Sequence, residues 1–552
     1  MSKYLWLMSA GAFALSTPAF AQDNSTQTAT ASSTQQAEVQ DDEEEVIIVT
    51  AQGRQQVLQD VPLAVSAVSG DTLQNSGGTD IRALNQLAPS LLVSSTGSEA
   101  NGSARIRGIG TVGDNPGLES SVALFVDGVY RSRTGIGLNE LGEIERVEVL
   151  RGPQGTLGGR NASAGLINIV SKKPAYDFEG YGELTYGNYD YIRGAGGVTG
   201  PLGDSGLAYR LDGVYVQRDG FYRVDNPGAG TESRVNDRDR YFVRGQLLYE
   251  PTDVLSVRLI GDYTKRDESC CGAVYIETRE SFDPTPTSPG DFQFAASNRI
   301  VDVLRSLGET FPSVDNPYSR VISVTPGRTY RNETEDYGVS GQIDYELGFG
   351  NLTSITAYRD YKAGGAGDID YGRADLIYRA DDGNSFRSFQ TFSQELRLQG
   401  TAFNDRLDWL VGGYYAKEDL HVADNFKFGS QYGAFAACRI VATVSPLAVL
   451  RNPANQGCLS PAGRATLTAQ LAPLGGAGTA LIAGIDRLST VNNVGDDRAD
   501  YYQDSKNYAL FTHNIFDITD QLSLTLGARY TNESKDFEAE FNNTNTICPV
   551  QQ

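Results

Sequence analysis

From Pro174 onward the chain alternates apolar and polar residues with a period of two. In QLSLTLGARYT (521–531), Leu522, Leu524, Leu526, Ala528 and Tyr530 fall on one face, and Ser523, Thr525, Gly527, Arg529 and Thr531 on the other. TFSQELRLQG (391–400) sets Phe392, Leu396 and Leu398 against Ser393, Glu395, Arg397 and Gln399. Such alternation predicts strands with one apolar and one wet face. We count about 11 such runs, starting near 178, 191, 207, 240, 254, 334, 351, 387, 406, 504 and 521, each long enough to cross a bilayer at a tilt. Their connections alternate in length. PLGDSG (201–206), EPTD (250–253), LGFGN (347–351), TAFNDR (401–406) and DITDQ (517–521) are short turns, whereas the connections near 220–239, 266–333, 364–386 and 419–502 are long. A soluble sandwich gives no reason for that asymmetry. An outer-membrane barrel does, with short periplasmic turns and long external loops.

Residues 58–174 read differently, as one small globular domain. DTLQNSGGTDIRALNQLAP (71–89) predicts a capped helix ending before Pro89, and VALFVDGVY (122–130) and IERVEVLRG (144–152) predict strands. Ahead of this domain, the acidic, Gln/Ser/Thr/Ala-rich stretch offers almost nothing to bury, so 22–57 is expected to be a disordered tether. The tether carries one anomaly: DDEEEVIIVTAQGR (41–54) contains four consecutive apolar residues, Val46 to Val49. The first residues, MSKYLWLMSAGAFALSTPAFAQD, have the form of a secretory signal with a small-x-small cleavage site at Ala19-Phe20-Ala21, placing the mature start at Gln22.

Composition narrows the choice. Mean hydropathy is −0.33, which suits a barrel whose strands show only half their residues to lipid. Tyr 29, Phe 22 and Gly 61 against His 2 and Met 2 fit the same class. A net charge of −23 argues against nucleic acid as a partner, because no basic face exists to neutralise phosphates. Of the five cysteines, Cys438 and Cys458 could close a loop in an exported protein, Cys270 and Cys271 are adjacent, and Cys548 is left over. No His/acid cluster at ligand spacing indicates a metal site. No nucleophile, base and orienter set suggests an enzyme, and His421 and His513 stand alone in the sequence.

The most specific signal is the series SARIRGIGT (103–111), VALFVDGVYRSR (122–133) and IERVEVLRGPQGTLGGRNASAGLINIVSKKP (144–174). Together with the 41–54 stretch, these closely resemble the TonB-dependent receptors of the Gram-negative outer membrane, of the proteobacterial iron-chelate type. The resemblance implies an all-β transmembrane antiparallel barrel of roughly 22 strands, about 11 of them present in this chain, with an α+β plug domain inside its lumen. The expected organisation is a signal peptide (1–21), a tether (22–57), a plug (58–174) and the N-terminal half of the barrel (175–552), with the C-terminal half missing. Val46, Ile47, Ile48, Val49, Thr50 and Ala51 match the TonB box, which the coupling protein TonB takes hold of from the periplasm. A free β-prone string of this kind can add itself as a strand to a partner's sheet edge.

The resemblance further implies that Arg107 and Arg151 pair with barrel-wall glutamates, and Glu395 is the candidate partner. By analogy, Val112, Gly113, Asp114, Asn115, Tyr130 and Arg131 are the candidate ligand contacts. GPQGTLGGR (152–160) lacks the Lys-Ser or Lys-Thr pair of a phosphate loop, so Gly152, Gly155 and Gly158 are read as turn glycines needing positive φ. The implied function is energy-coupled uptake of a ferric-siderophore-like ligand, with no cofactor and with outer-membrane lipid as the surroundings. Cobalamin, haem or a glycan fragment is the alternative cargo, and a non-transporting adhesin or phage receptor the alternative role.

Overall fold

The computed structural model describes residues 47–50, 53–137, 139–275, 299–313, 316–444 and 458–544. The signal segment, most of the tether, Val46, Ala51 and Cys548 lie outside the described residues.

Seven strands build the inner domain: β1 (Val65–Ser69), β2 (Leu91–Thr96), β3 (Ser98–Ile106), β4 (Val122–Val126), β5 (Val129–Arg131), β6 (Ile144–Arg151) and β7 (Gly165–Ser171). Eleven long strands follow: β8 (Glu179–Gly187), β9 (Tyr191–Pro201), β10 (Leu207–Arg218), β11 (Arg238–Thr252), β12 (Leu255–Ser269), β13 (Arg331–Glu346), β14 (Asn351–Gly365), β15 (Phe386–Ala402), β16 (Leu407–Asp424), β17 (Val494–Thr519) and β18 (Leu522–Asn543). Each long strand pairs antiparallel with its sequence neighbours, so β8 to β18 form one up-and-down wall. These are the eleven strands that the alternation predicts.

The alternation sorts the two faces of that wall. Along β11, Arg240, Phe242, Arg244, Gln246 and Leu248 are buried against the inner domain, while Tyr241, Val243, Leu247 and Tyr249 are exposed. Cross-strand register lines up aromatic residues on the outer face, with Tyr263 opposite Tyr337 and Tyr358 opposite Phe392. An apolar outer face edged by aromatic rings is what a lipid-embedded wall requires. No helix among the described residues is long and apolar enough to cross a membrane. All wall turns at one end are short (202–206, 253–254, 347–350, 403–406, 520–521), and four of the five connections at the other are long.

The long connections are not bare loops. Helices Arg299–Ser306, Tyr432–Val444, Pro461–Leu471 and Gly476–Leu488 share an apolar core of Val303, Ala437, Val441, Leu459, Leu467 and Ile485. Ser460 caps the third of these by accepting from the Gly463 amide at 2.9 Å, with Pro461 at its first turn. A disulfide joins Cys438 to Cys458 within this core, at a Cα separation of 5.0 Å, and a second joins Cys270 to Cys271.

The inner domain has a five-stranded sheet in the order β1-β6-β7-β4-β5, plus the β2–β3 hairpin. Its core packs Leu73, Ile81, Leu84, Ile106, Val122, Leu124, Val147, Val149, Ile167 and Ile169. Two expectations need correction here. The helix expected over 71–89 is broken into Gly70–Asn75 and a second turn at Ile81–Leu87, because Gly77 takes a φ of +74° and closes the first helix with its amide on the Gln74 carbonyl. Asp80 starts the second piece by accepting from the Arg82 amide at 2.8 Å. The run 122–130 is not one strand, since Asp127 (φ +50°) and Gly128 (φ +75°) fold it into a tight hairpin.

Candidate functional site

The inner domain sits on the wet face of the wall, and the seam between them is ionic. Glu99, on β3, accepts from Arg240 at 3.0 Å and Arg266 at 2.7 Å, both on the wall, and from Arg82 of its own domain at 2.7 Å. Burial opposes ionisation of Glu99, yet the three guanidiniums outweigh it and hold the carboxyl well below its ordinary range. Asp127 stands 3.4 Å from wall residue Arg258, Glu140 3.6 Å from Arg193, and Glu143 pairs with Arg210. The opposite polarity occurs where inner-domain Arg133 lies 3.5 Å from Glu418 and Arg160 reaches Glu533. Asn139 donates to wall residue Asp336 at 2.9 Å.

The arginine pairing expected of Arg107 and Arg151 is therefore real in kind but carried by other residues. Arg107 is exposed at a turn with φ +53°, its amide bonded to the Ser90 carbonyl at 2.8 Å. Arg151 donates to the Ala64 and Val65 carbonyls at 3.3 Å, tying the edge strand β1 to its own sheet. Glu395 does face inward, but it pairs with Arg397 two residues along its strand at 3.1 Å. Residues i and i+2 share a strand face, so this neighbour satisfies the carboxylate before any inner-domain arginine can reach it.

The loop 107–120 forms the outward apex of the inner domain. Val112 is half exposed, and so are Ile109 and Leu118, giving an apolar tip that no sheet covers. Gly113 is required by close approach, since a Cβ there would stand 2.3 Å from the Asn101 carbonyl oxygen. Asp114 accepts from the Thr96 hydroxyl, and the Asn115 carboxamide oxygen accepts from the Gly117 amide at 2.9 Å. Facing this loop across a narrow cleft are Tyr361, Arg387 and Phe389 of the wall, with Arg387 donating to Asn101 at 2.6 Å. Glu119, at the end of the loop, accepts from Arg160 at 2.9 Å, Lys535 at 3.0 Å and Asn161 at 2.6 Å. Burial works against the Glu119 charge, but Arg160, Lys535, Asn161 and Arg133 overcome it and lower its pKa.

Tyr130 and Arg131 do not join this apex. Tyr130 is buried, accepts from Asn161 at 2.7 Å and lies 5.6 Å beneath the Arg160 guanidinium, and burial pushes its phenol above the ordinary value. Arg131 ends β5 inside the seam, within electrostatic reach of wall residues Asp262 and Asp336. The Asp127-Gly128 turn is the reason: the strand after it runs back under the apex rather than away from the core. Ile109, Leu118, Arg387 and Phe389 escaped the sequence reading. An unpaired apolar residue beside a glycine-rich turn was the available signal for the first two, whereas the wall pair comes from some 270 residues downstream.

At the N-terminal edge, Ile48 and Val49 pair with Val57 and Gln56. The Thr50 amide donates to Glu148 of β6 at 2.9 Å, and its hydroxyl donates to the same carboxylate at 3.1 Å. Glu148 is fully buried, and Arg146 Nε at 2.8 Å completes its shell. Arg54 anchors the following turn by donating to the Asp408 and His513 carbonyls at 3.2 Å. The 47–50 segment is thus not a free string. It is held by a short ladder and one buried carboxylate, with Ile47 and Ile48 left exposed.

Of the glycines read as turn formers, Gly152 has φ +86°; Gly158 is instead confined by the Gln154 carbonyl, 2.8 Å from where a Cβ would stand. No group of metal-ligating side chains occurs among the described residues.

Residues 57–166 match the TonB-dependent receptor plug domain. The chain carries the plug of the TonB-dependent receptors. In sequence, it is 33% identical over 169 residues to the pesticin receptor of Yersinia pestis, covering 30% of this chain and 24% of that one. It is 30% identical over 192 residues to an iron-regulated outer membrane virulence protein of Vibrio cholerae, covering 31% and 28% respectively. In fold, it superposes on the ferric yersiniabactin uptake receptor of Yersinia pestis with a TM-score of 0.60 at 15% identity, over 87% of this chain and 60% of that receptor. This chain therefore spans about a quarter of the curated relatives' length in sequence and 60% of that receptor's in fold. Its plug and wall share the fold of that receptor, with the β1-β6-β7-β4-β5 sheet as the body of the plug.

Proposed function

We propose that the chain takes up a ferric-siderophore-like ligand across the outer membrane, driven through its N-terminal segment by TonB. The observation that carries this reading is the position of the 47–50 segment, which is parked on Glu148 of the plug sheet while Ile47 and Ile48 stay accessible. A partner strand can pair with such a segment once the Thr50 bonds open, gaining main-chain hydrogen bonds. Val46 and Ala51 complete the segment on either side. Ligand contact falls on Val112, Gly113, Asp114 and Asn115, joined by Ile109, Leu118, Arg387 and Phe389. Glu119 ties that apex to Arg160 and Asn161, and these lead into β7, whose Asn168 touches Thr50 at 3.2 Å. The plug residues need only bind and move, so no covalent chemistry is assigned to them.

The test is uptake of a radiolabelled ferric siderophore by cells expressing the gene, with residues 46–51 deleted in a second strain. Loss of uptake with surface binding retained is expected. Uptake that survives the deletion would refute TonB coupling. A second reading, attachment of a particle by the external loops alone, has support in the separate apolar core of the helices at 299–306, 432–444, 461–471 and 476–488. It predicts adsorption unaffected by the same deletion.

A further inference from the structure

Three of the long external connections meet at one short segment, 367–376. The connection before β13 is tied to it by Arg328, which donates to both Asp375 carboxylate oxygens at 3.0 Å, and by the Thr325 amide, which donates to Asp368 at 2.8 Å. The connection after β16 is tied to it by Ser430, whose amide and hydroxyl donate to Asp375 at 2.8 and 2.7 Å, and by the Gly429 amide, 2.7 Å from the Leu376 carbonyl. The segment closes on itself around Asp370, whose carboxylate accepts from the Gly372, Leu376 and Ile377 amides at 3.0, 2.9 and 2.9 Å. It also reaches the plug, since a Cβ on Gly97, at the turn between β2 and β3, would stand 4.0 Å from the Tyr371 hydroxyl. On the same hairpin, Asn101 donates to the Thr96 carbonyl at 2.8 Å and accepts from Arg387 of the apex cleft.

Asp370 and Asp375 are fully answered, but Asp368 is not. It is completely buried, with Oδ2 on the Thr325 amide and Oδ1 without a partner. The cations around it are committed elsewhere: Arg328 to Asp375, Arg379 to Asp424, Lys427 to Asp497 and Arg373 to the Asn226 carbonyl. Glu309, across from Asp370, accepts from the Thr310 and Arg373 amides. Tyr330 stacks on Tyr371 and donates to the Asp368 carbonyl at 3.1 Å, which leaves the carboxyl untouched. A bare carboxylate oxygen in such a place costs far more than a neutral carboxyl.

We infer that a proton on the buried Asp368 carboxyl clasps the three connections together, forming a latch beside the plug apex that loosens as the surroundings turn alkaline. Burial pushes this carboxyl up to about 8, and the charges of Asp370 and Asp375 add to the shift. Burial takes Asp370 only to about 6, so it is ionised through the neutral range and keeps opposing a second charge. The phenols of Tyr275, Tyr330 and Tyr371 are raised as well and stay neutral. The clasped form holds the proton, and the opened form releases it to bulk water, where the ordinary value is 3.8. Clasping is therefore strongest in acid, weakens as pH rises, and has lost the whole of this contribution above about pH 8.

The test is hydrogen exchange of the full chain in detergent micelles between about pH 6.5 and 9, each rate being divided by the intrinsic rate at that pH. The Thr325, Leu376, Ile377 and Gly429 amides should lose about thirtyfold in protection over that range and level off above about pH 8, while Val147 and Ile169 of the plug core hold theirs. Asp368→Asn keeps the side chain's shape without its charge and should make the protection of those four amides independent of pH. Protection that falls in Asp368→Asn as it does in wild type would assign the titration to another group and overturn the latch. Wild-type protection that stays level from end to end would overturn it with no variant needed.

Discussion

Within the plug, Val147, Val149, Ile167 and Ile169 pack across β6 and β7 with no exposure at all. Along 127–143 the same domain meets the wall through Asp127, Asn139, Glu140 and Glu143, every one of them answered by a charged wall side chain. The contrast separates what gives the plug its shape from what keeps it in place. Apolar burial is non-directional and has no equivalent substitute in water. A buried ion pair roughly offsets its own desolvation and can be exchanged for solvated charges when the parts separate. A domain cored by one and seated by the other can change position while keeping its fold.

The largest effect should come from attacking the shape. Ile167→Ala, at a fully buried site, should cost about 4 kcal/mol and loosen the entire plug sheet in hydrogen exchange. If only the seam amides respond, the division between core and seat fails. Next, Glu99→Ala removes the one plug carboxylate that Arg240 and Arg266 of the wall share and should weaken plug seating by about 3 kcal/mol, read as new protease cuts at the seam with β6 and β7 amides still protected. A smaller, graded effect should follow acid. Glu99 and Glu119 have folded pKa values below the ordinary 4.5, so their contribution is complete above that value and is lost as pH falls through the lowered ones. Protease access to the seam should rise below about pH 4 while the core stays closed. Smallest is Thr50→Ala, which deletes one hydroxyl donor to Glu148 and should cost about 1 kcal/mol, raising the labelling rate of a cysteine placed at Ile47.

How much of this was legible depended on whether a feature is local. The wall was written plainly, because period-two alternation is a property of each strand alone: Leu522 to Tyr530 point outward as read. The plug core was visible in outline through 144–152. The seam was not, since which arginine meets which carboxylate depends on residues far apart in the chain, and Glu395 had a nearer partner in Arg397. Gly77 and Asp127-Gly128 act through turn geometry that hydrophobic periodicity does not register, and the second of these turns puts Tyr130 and Arg131 in the seam rather than at the apex. The helices of the external connections lie in Ala- and Gly-rich stretches such as 461–488, where no period-two alternation marks an element.

The period-two wall also limits how relatives of this protein could diverge. Inserting a single residue into β16 would turn every side chain beyond it over, sending Glu418 to the outer face and Tyr415 against the plug. Indels in the strands are thereby selected against, and length variation is confined to the connections, above all the external ones. New specificities would then arise by lengthening or shortening the rim while the staves between stay the same length.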